Sequence, residues 1–198
     1  MPKIADHGER RSSLVDSGLD LLAREGLEAA TMRRLAVAAN CTTGMITHYF
    51  ENREALLLAM LRHVHTAAGA RMIKAVARAS TPRTKLDAVL LESLPLDAAR
   101  LVEWKVWLAF WGAVPSAPNL AIEHAQRYDE WRSLLLRLVH ESGLHGEGAN
   151  RTVTNLIAIV DGYGLQMTLT GSPKSKVSAL LQEHCRRALE QSLDAAGI

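Results

Sequence analysis

Residues 31 to 50 read TMRRLAVAANCTTGMITHYF, and this stretch predicts two short helices joined by a tight corner. The first half is apolar at helical spacing and predicts one buried stripe, made of Leu35, Ala36 and Ala39. The first helix is expected to end at Asn40, because asparagine tolerates the left-handed backbone that a helix C-terminus often needs. Thr42 or Thr43 is then placed to cap a second helix through its side-chain oxygen.

The second helix is about two turns long and is expected to be polar on its outer face. Ile46 and Phe50 pack inward, which leaves hydroxyl, imidazole and phenol groups outside. A short helix of this kind, held by a partner helix, is what a helix-turn-helix presents to the major groove. We therefore predict binding to double-stranded DNA. The predicted contact residues are Thr31, Arg33, Arg34, Thr42, Thr43, Gly44, Thr47, His48, Tyr49 and Arg53.

Net charge alone does not indicate nucleic-acid binding. Residues 1–62 contain eight Lys or Arg and eight Asp or Glu, so this part of the chain is formally neutral. Affinity for phosphates depends instead on the local array of cations. The arginines on segments expected to face the DNA backbone are Arg10, Arg11, Arg33, Arg34 and Arg53. Without the helix-turn-helix, these arginines would be read as the solvated faces of ordinary helices.

Several short motifs lie in a fixed order around this corner: Arg33-Arg34-Leu35-Ala36, Thr43-Gly44, His48-Tyr49-Phe50 and Asn52-Arg53-Glu54-Ala55-Leu56-Leu57. Together they resemble the DNA-binding domain of TetR-type repressors. Two departures are conservative. The chain has Asn40-Cys41-Thr42 where the family usually has Gly-Val-Ser, and Arg53 where it usually has Lys. The resemblance implies a homodimer that binds a palindromic operator and is released from it by a small-molecule inducer.

The whole chain reads as an all-α protein of about nine helices, because it lacks sustained alternation of β-branched residues. We expect a three-helix DNA-binding domain at 1–52, and a helical ligand-binding and dimerisation domain at 53–198. Helix 4 connects the two; its N-cap is Asn52 and its inward stripe is Leu57, Met60, Leu61 and Val64. The first helix is expected at about 9–25, the later ones at about 86–94, 96–113, 119–141, 151–170 and 175–195, and a glycine-rich loop at 142–148.

The last two predicted helices have long apolar faces. These faces fit either closure of the domain core or contact with a second copy of the chain. The resemblance favours the second, because TetR-type proteins dimerise through their two C-terminal helices. The predicted interface residues are Val153, Leu156, Ile157, Val160, Tyr163, Met167, Val177, Leu180, Leu181, His184 and Ala188. Gly162 and Gly164 interrupt the first of these helices, which indicates a close helix approach or room for a ligand.

All four tryptophans fall between residues 104 and 131 at helical spacings. Such a cluster is either a packed core or a cage for a cation, since aromatic faces with a nearby carboxylate hold quaternary ammonium groups. The motifs Trp107-Leu-Ala-Phe-Trp111, Ile159-Val-Asp-Gly162 and Leu169-Thr-Gly171 resemble the choline-responsive BetI branch of the family. That resemblance implies a cationic inducer such as choline; a neutral apolar or aromatic ligand is the alternative. The candidate ligand residues are Glu103, Trp104, Trp107, Trp111, Tyr128, Trp131 and Asp161.

Other chemistry is not indicated. No apolar run is long enough to span a membrane and the N-terminus has no signal-peptide pattern, so we expect a cytoplasmic protein. Cys41 and Cys185 are far apart, and the histidines have no metal-ligand spacing, so neither a disulfide nor a metal is expected. With no phosphate-binding loop and no catalytic triad, we predict no enzyme activity and no cofactor. A helical module that uses the helix-turn-helix for protein contacts is the remaining alternative.

Overall fold

The computed structural model describes residues 3–26, 29–170, 179–181, 183–184, 186–187 and 190–191, with side chains from residue 7 onward, and every regular element among these residues is a helix. The elements with stated bounds are α1 Lys3–Glu25, α2 Met32–Ala38, α3 Thr43–Tyr49, α4 Arg53–Arg78, α5 Pro82–Glu92, α6 Ala98–Ala113, a 3-10 helix Val114–Ser116, α7 Pro118–Glu141 and α8 Gly146–Thr170. The described residues from 179 to 191 are helical as well. The all-α prediction is confirmed. None of the described helices is long and apolar enough to cross a membrane.

The corner between α2 and α3 has the geometry that its residues predict. Asn40 has a φ of 48°, in the left-handed region. The next amide, of Cys41, donates to the Ala36 carbonyl at 2.9 Å and so closes the end of α2. Thr42 is the N-cap of α3, with its hydroxyl oxygen accepting from the Met45 amide at 3.2 Å. Of the two capping threonines that the sequence allowed, Thr42 is therefore the one used.

The chain forms two compact units, and the first consists of Met1–Thr66 and Lys105–Glu123. Its core joins side chains of α1 to α4 with the second half of α6. The largest fully buried members are Leu14, Leu22, Leu35, Ile46, Phe50, Leu56, Met60, Leu61 and Phe110. The predicted inward packing of Ile46 and Phe50 is confirmed, as is the stripe of helix 4.

Polar contacts join the α6 and α7 segments of the first unit to its other helices. Lys105 donates from Nζ to the Ala23 carbonyl in the last turn of α1, at 2.7 Å. Arg62 on α4 donates to the buried carboxylate of Glu123 at 2.6 and 3.1 Å. Removing Arg62 would leave the Glu123 carboxylate charged in a poorly hydrated place, so this pair restricts where α7 begins relative to α4.

The second unit consists of Ala67–Trp104 and His124–Ile198. An ion-pair network crosses three of its helices. Arg71 on α4 binds both carboxylate oxygens of Glu103 on α6 at 2.6 Å and donates to Glu92 on α5 at 3.2 Å. Arg100 contacts Glu92 as well, at 3.3 Å, and Asp97 at 2.8 Å. The bidentate geometry of Arg71 is the stronger type of charged hydrogen bond.

Gly164 permits a close contact between α8 and α6. A β-carbon built at this position would lie 1.9 to 2.5 Å from atoms of the Trp104 indole, which is far inside van der Waals contact. The Trp104 indole is itself buried, and its N–H donates to the Ser93 carbonyl at 2.8 Å. Close helix approach therefore explains the glycine at 164, whereas a β-carbon at Gly162 would meet nothing within 4 Å.

Several helix boundaries differ from the sequence expectation; the helix expected at about 86–94, for example, is α5, Pro82–Glu92. α1 begins at Lys3 rather than near residue 9, and α8 begins at Gly146, inside the expected glycine-rich loop. Gly143 and Gly146 have φ values of 95° and 61°, so the chain reverses within fewer residues than the loop prediction assumed. The boundary predicted at residue 52, between the DNA-binding domain and the ligand-binding domain, was drawn from the DNA-binding motif and stays a prediction.

Gly164→Ala is expected to destabilise the fold, because the added methyl group must displace the Trp104 ring. We expect a loss of about 2 kcal/mol in the free energy of unfolding. Gly69→Ala is the matched control, since it lies inside α4 with nothing within 4 Å of the added atom. The control should gain up to about 1 kcal/mol from helix propensity. Urea unfolding measures both, and equal effects at the two sites would contradict the packing assignment.

Candidate nucleic-acid interface and ligand site

Two buried side chains anchor α3, one within the helix and one at its C-cap. Ile46 is its buried member, and Phe50, the C-cap, is buried as well. The remaining α3 side chains lie outside: Thr43, Met45, Thr47 and His48 are exposed and Tyr49 is half-buried. The backbone of Gly44 is open, with only the Thr42 hydroxyl within 4 Å of an added β-carbon. The outer face predicted for DNA contact is therefore accessible.

The threonines predicted to contact DNA differ in whether their hydroxyl groups already form hydrogen bonds within the chain. Thr31 and Thr42 accept backbone amides as the N-caps of α2 and α3, which leaves their O–H groups able to donate. Thr47 donates to the Gly44 carbonyl at 3.1 Å. Thr43 is exposed on the first turn of α3 and caps nothing. A hydroxyl in this position can both donate to and accept from a base edge or a phosphate.

The predicted phosphate-binding arginines also differ. Arg53 donates from Nε to the Ala30 carbonyl at 3.0 Å and so holds the start of α4 against the segment before α2. Arg34 forms an ion pair with Glu25. Arg33 is exposed and has no partner among the described residues. Its charge is the most available of the three for a DNA phosphate.

The first turns of α1 contact α3 in a way that the sequence did not predict. The ring of His7 lies 4.6 Å from that of Tyr49 and 5.7 Å from that of His48, centroid to centroid. Arg10 approaches the Met45 sulfur at 3.6 Å, and the Arg11 guanidinium lies 5.1 Å above the Phe50 ring. Arg10 and Arg11 were expected to face phosphates. His7 was not considered, because the first helix was expected to start after it.

In the second unit, four side chains form what we term the Tyr128 cluster: His124, Tyr128, Trp131 and Asp161. The Tyr128 hydroxyl donates to Asp161 Oδ2 at 3.0 Å, which joins α7 to α8. Trp131 lies edge-to-face on Tyr128, with centroids 5.9 Å apart and an interplanar angle of 86°. His124 precedes Tyr128 on α7, and the centroids of the two rings are 4.4 Å apart. Three of the predicted ligand residues are thus in one place, together with a histidine that sequence reasoning had set aside.

Burial controls the charge of this cluster. It raises the pKa of Asp161 to about 6, although the hydrogen bond from Tyr128 acts in the opposite direction. Burial and the neighbouring Asp161 carboxylate raise the pKa of Tyr128 above its ordinary value, so the phenol stays neutral. Burial lowers the pKa of His124, which favours the neutral imidazole. The indole nitrogen of Trp131 is buried and has no hydrogen-bond acceptor among the described residues. At neutral pH, Asp161 therefore gives the cluster a negative charge, and burial leaves this carboxylate poorly solvated.

The other predicted ligand residues have structural contacts of their own. Glu103 is bound by Arg71, so its charge is already balanced. Trp104 packs on Gly164 and is hydrogen bonded to Ser93. Trp107 and Trp111 belong to the first unit, where their ring centroids are 6.4 Å apart. The structure brings together Tyr128, Trp131 and Asp161.

The predicted dimer residues divide by exposure. Six of them are buried within the chain itself: Val153, Leu156, Ile157, Val160, Met167 and Leu181. Tyr163 is half-buried and bonded to the exposed His184, oxygen to Nδ1, at 2.8 Å. Leu180 is exposed, while Val177 and Ala188 lie outside the described residues. Of this set, Leu180 and His184 are exposed and Tyr163 is partly so, and the interface itself stays a prediction.

In its second half, α8 has an exposed strip of small and apolar residues at helical spacing, opposite its buried side: Ala158, Gly162, Leu165 and Leu169. Exposed polar residues, among them Arg151, Asn155 and Gln166, border this strip. Leu165 is 37% exposed and Leu169 is 69% exposed. We call these four residues the α8 outer face. Sequence periodicity had placed the interface on the buried side of the same helix, because both sides are apolar.

Two family descriptions match this chain. Residues 14–60 match the bacterial regulatory proteins of the tetR family, and residues 82–194 match the C-terminal domain of BetI-type transcriptional repressors. The first match contains the helix-turn-helix, and the second contains the Tyr128 cluster and the α8 outer face. Together they include both candidate sites.

Similar proteins extend over nearly the full chain. The HTH-type transcriptional regulator BetI of Paraburkholderia phymatum is 30% identical over 182 residues, which cover 91% of this chain and 92% of that protein. The corresponding protein of Paraburkholderia xenovorans is 32% identical over 184 residues, with the same coverage.

Solved structures are similar in fold. A transcriptional regulator from Rhodococcus has a TM-score of 0.80 at 27% identity, covering 93% of this chain and 96% of its own. A regulator from Saccharomonospora viridis, solved in complex with choline, has a TM-score of 0.81 at 22% identity, covering 92% and 96%.

Proposed function

Because this chain belongs to the TetR family and has a BetI-type C-terminal domain, we propose that it represses transcription as a homodimer bound to a palindromic operator, from which a small organic cation releases it. The observation that carries the DNA-binding part is the capped, outward-facing helix α3. The relatives are named as transcriptional regulators, which supports a regulatory role rather than an enzymatic one. Acting on the genome places the protein in the cytoplasm.

In this proposal α3 enters the major groove and the arginines hold the backbone. Thr43 and Tyr49 are the side chains of α3 most able to meet base edges or the adjoining phosphates, since Thr47 already bonds its own helix. Arg33 supplies a phosphate contact from the exposed side of α2. Phosphate contacts position the protein without reading sequence, whereas groove contacts provide specificity.

Thr43→Ala and Tyr49→Ala are each expected to weaken binding to an operator selected from random duplexes by roughly tenfold, by removing groove contacts. Arg33→Gln should weaken binding to all sequences alike and reduce the slope of log affinity against log salt by about one. Thr66→Ala, on exposed α4 surface, is the control. Gel-shift titrations at several salt concentrations measure these effects. Unchanged affinity in both α3 variants would contradict the assignment, and binding that is insensitive to salt would favour a protein-interaction module.

We propose that the α8 outer face, together with the exposed Leu180 of the C-terminal segment, contacts a second copy of the chain. Small residues at positions 158 and 162 allow backbones to approach closely, and the two leucines supply apolar area. An isologous contact of this kind gives a twofold dimer with two copies of α3. Two reading helices are what a palindromic operator requires.

Replacing both Leu165 and Leu169 with Lys should yield a monomer of 21.7 kDa that no longer binds the operator. Placing like charges across a twofold contact opposes association, and a single half-site provides too little affinity. Ile73→Lys with Ile122→Lys is the matched control, because these residues are 71% and 68% exposed on other helices. Light scattering coupled to gel filtration gives the mass. A dimer that survives the α8 substitutions, or that is lost equally in the control, refutes this interface.

For the ligand, the Tyr128 cluster offers what an organic cation needs. Asp161 supplies the charge, Tyr128 and Trp131 supply aromatic surface, and the neutral His124 adds no opposing cation. Each cation–π contact contributes about 0.5 to 2 kcal/mol. The buried Trp131 N–H is available to an oxygen acceptor, which choline has in its hydroxyl group. The choline complex of the Saccharomonospora viridis regulator supports the view that this fold accommodates such a ligand. Trp107 and Trp111 stay candidate ligand residues.

The inducer releases DNA only if it binds the DNA-free conformation better than the DNA-bound one. A ligand with equal affinity for both would shift no population, however tightly it bound. The difference in ligand affinity between the two conformations therefore sets the limit on induction.

Choline is expected to stabilise the protein by about 3 kcal/mol at a hundredfold excess over its Kd, and Asp161→Asn should abolish this effect. In the wild type, the stabilisation should weaken as pH falls through about 6, because protonated Asp161 no longer offers a negative charge. Asp129→Asn, at an exposed carboxylate on α7, is the control variant. Thermal-shift titrations with choline and its neutral carbon isostere, 3,3-dimethyl-1-butanol, separate the alternatives. Stabilisation by the neutral compound alone, unaffected by Asp161→Asn, would establish an apolar ligand instead.

A further inference from the structure

We propose that His7 is a positioning residue for DNA binding, whose ring holds Tyr49 and His48 in the orientation from which α3 meets the groove. This inference rests on the proposed role of α3 as the reading helix. It assigns a function to the first turns of α1, which precede the TetR-family match at residues 14–60.

Three rings form a closed group at the C-terminal end of α3. His7 is tilted by 39° on Tyr49 at 4.6 Å and stands at 76° to His48 at 5.7 Å. His48 and Tyr49 are in edge contact with each other at 5.2 Å and 83°. All three separations are within the range in which aromatic pairs attract, so each ring restricts the other two.

The need for such support follows from the length of α3. A helix of seven residues with one buried member offers few neighbours for the side chains at its end. His48 is exposed and Tyr49 is half-buried, so both would lose rotamer freedom on binding DNA. A ring that restricts them beforehand removes part of that cost from the binding step.

The neighbouring contacts show that α1 supports α3 over its length. Residues 7, 10 and 11 are spaced i, i+3 and i+4, and therefore share one face of α1. Arg10 contacts Met45, and Arg11 lies over Phe50. His7 is the residue of this face that contacts the outer aromatic side chains, His48 and Tyr49. The early start of α1, at Lys3, is what brings residue 7 into the helix.

The test compares His7→Ala with His7→Phe, which keeps a ring but has no N–H group to offer DNA. His7→Ala should lower operator affinity by roughly threefold to tenfold, and His7→Phe should stay within about twofold of the wild type. In a Tyr49→Ala background, His7→Ala should have little further effect, because the ring it positions is gone. Ser12→Ala, on the exposed surface of α1, is the control. Circular dichroism melting of the DNA-free variants verifies that each one is folded.

Each other outcome overturns the inference in a distinct way. Equal losses in His7→Ala and His7→Phe would make His7 a direct DNA contact through its imidazole nitrogens. Strictly additive losses in the double variant would show that His7 acts independently of Tyr49. No loss in His7→Ala, with a loss in Tyr49→Ala, would refute this inference alone. No loss in Tyr49→Ala would refute the proposed role of α3 together with it.

Discussion

The burial of Ile46 and Phe50 is the interaction on which α3, the proposed reading helix, depends. Isolated helices of seven residues are unstable in water, since the cost of nucleation is not recovered over so few hydrogen bonds. α3 therefore exists because these two side chains enter a core shared with α1, α2 and α4. That core also receives Phe110 of α6, so the shape of the DNA-binding surface depends on a segment far away in sequence.

Local chemistry made the corner between α2 and α3 predictable. Asparagine at 40 and threonine at 42 satisfy backbone requirements that belong to the residues themselves, and the structure uses both. The joining of Lys105–Glu123 to the N-terminal unit was beyond prediction. Contacts such as that of Lys105 with the Ala23 carbonyl leave no local pattern, because a lysine on any helix has many carbonyls within potential reach.

The candidate sites show the same limit. Helical spacing identified Tyr128 and Trp131 as neighbours, and a carboxylate was expected nearby; the structure provides Asp161. Helical spacing could not predict the ion pair between Arg71 and Glu103, because the two residues lie on different helices. Helical spacing also could not show which apolar side of α8 is buried and which is exposed. Hydrophobic periodicity records that Leu156 and Leu165 are both apolar, while only packing decides that Leu156 is buried and Leu165 exposed.

The helix α7 contributes residues to both compact units, Glu123 to the first and Tyr128 to the second. Tyr128, whose hydroxyl bonds Asp161, lies on the same helix, α7, as Glu123, whose buried carboxylate binds Arg62 of α4. The two α7 residues are five positions apart, or about 7.5 Å along the axis at the usual helical rise. Within the first unit, α4 begins three residues after the core residue Phe50, which ends α3. The Arg62–Glu123 pair therefore joins the start of α7 to α4 within that unit, and breaking the pair would leave Glu123 charged and poorly hydrated.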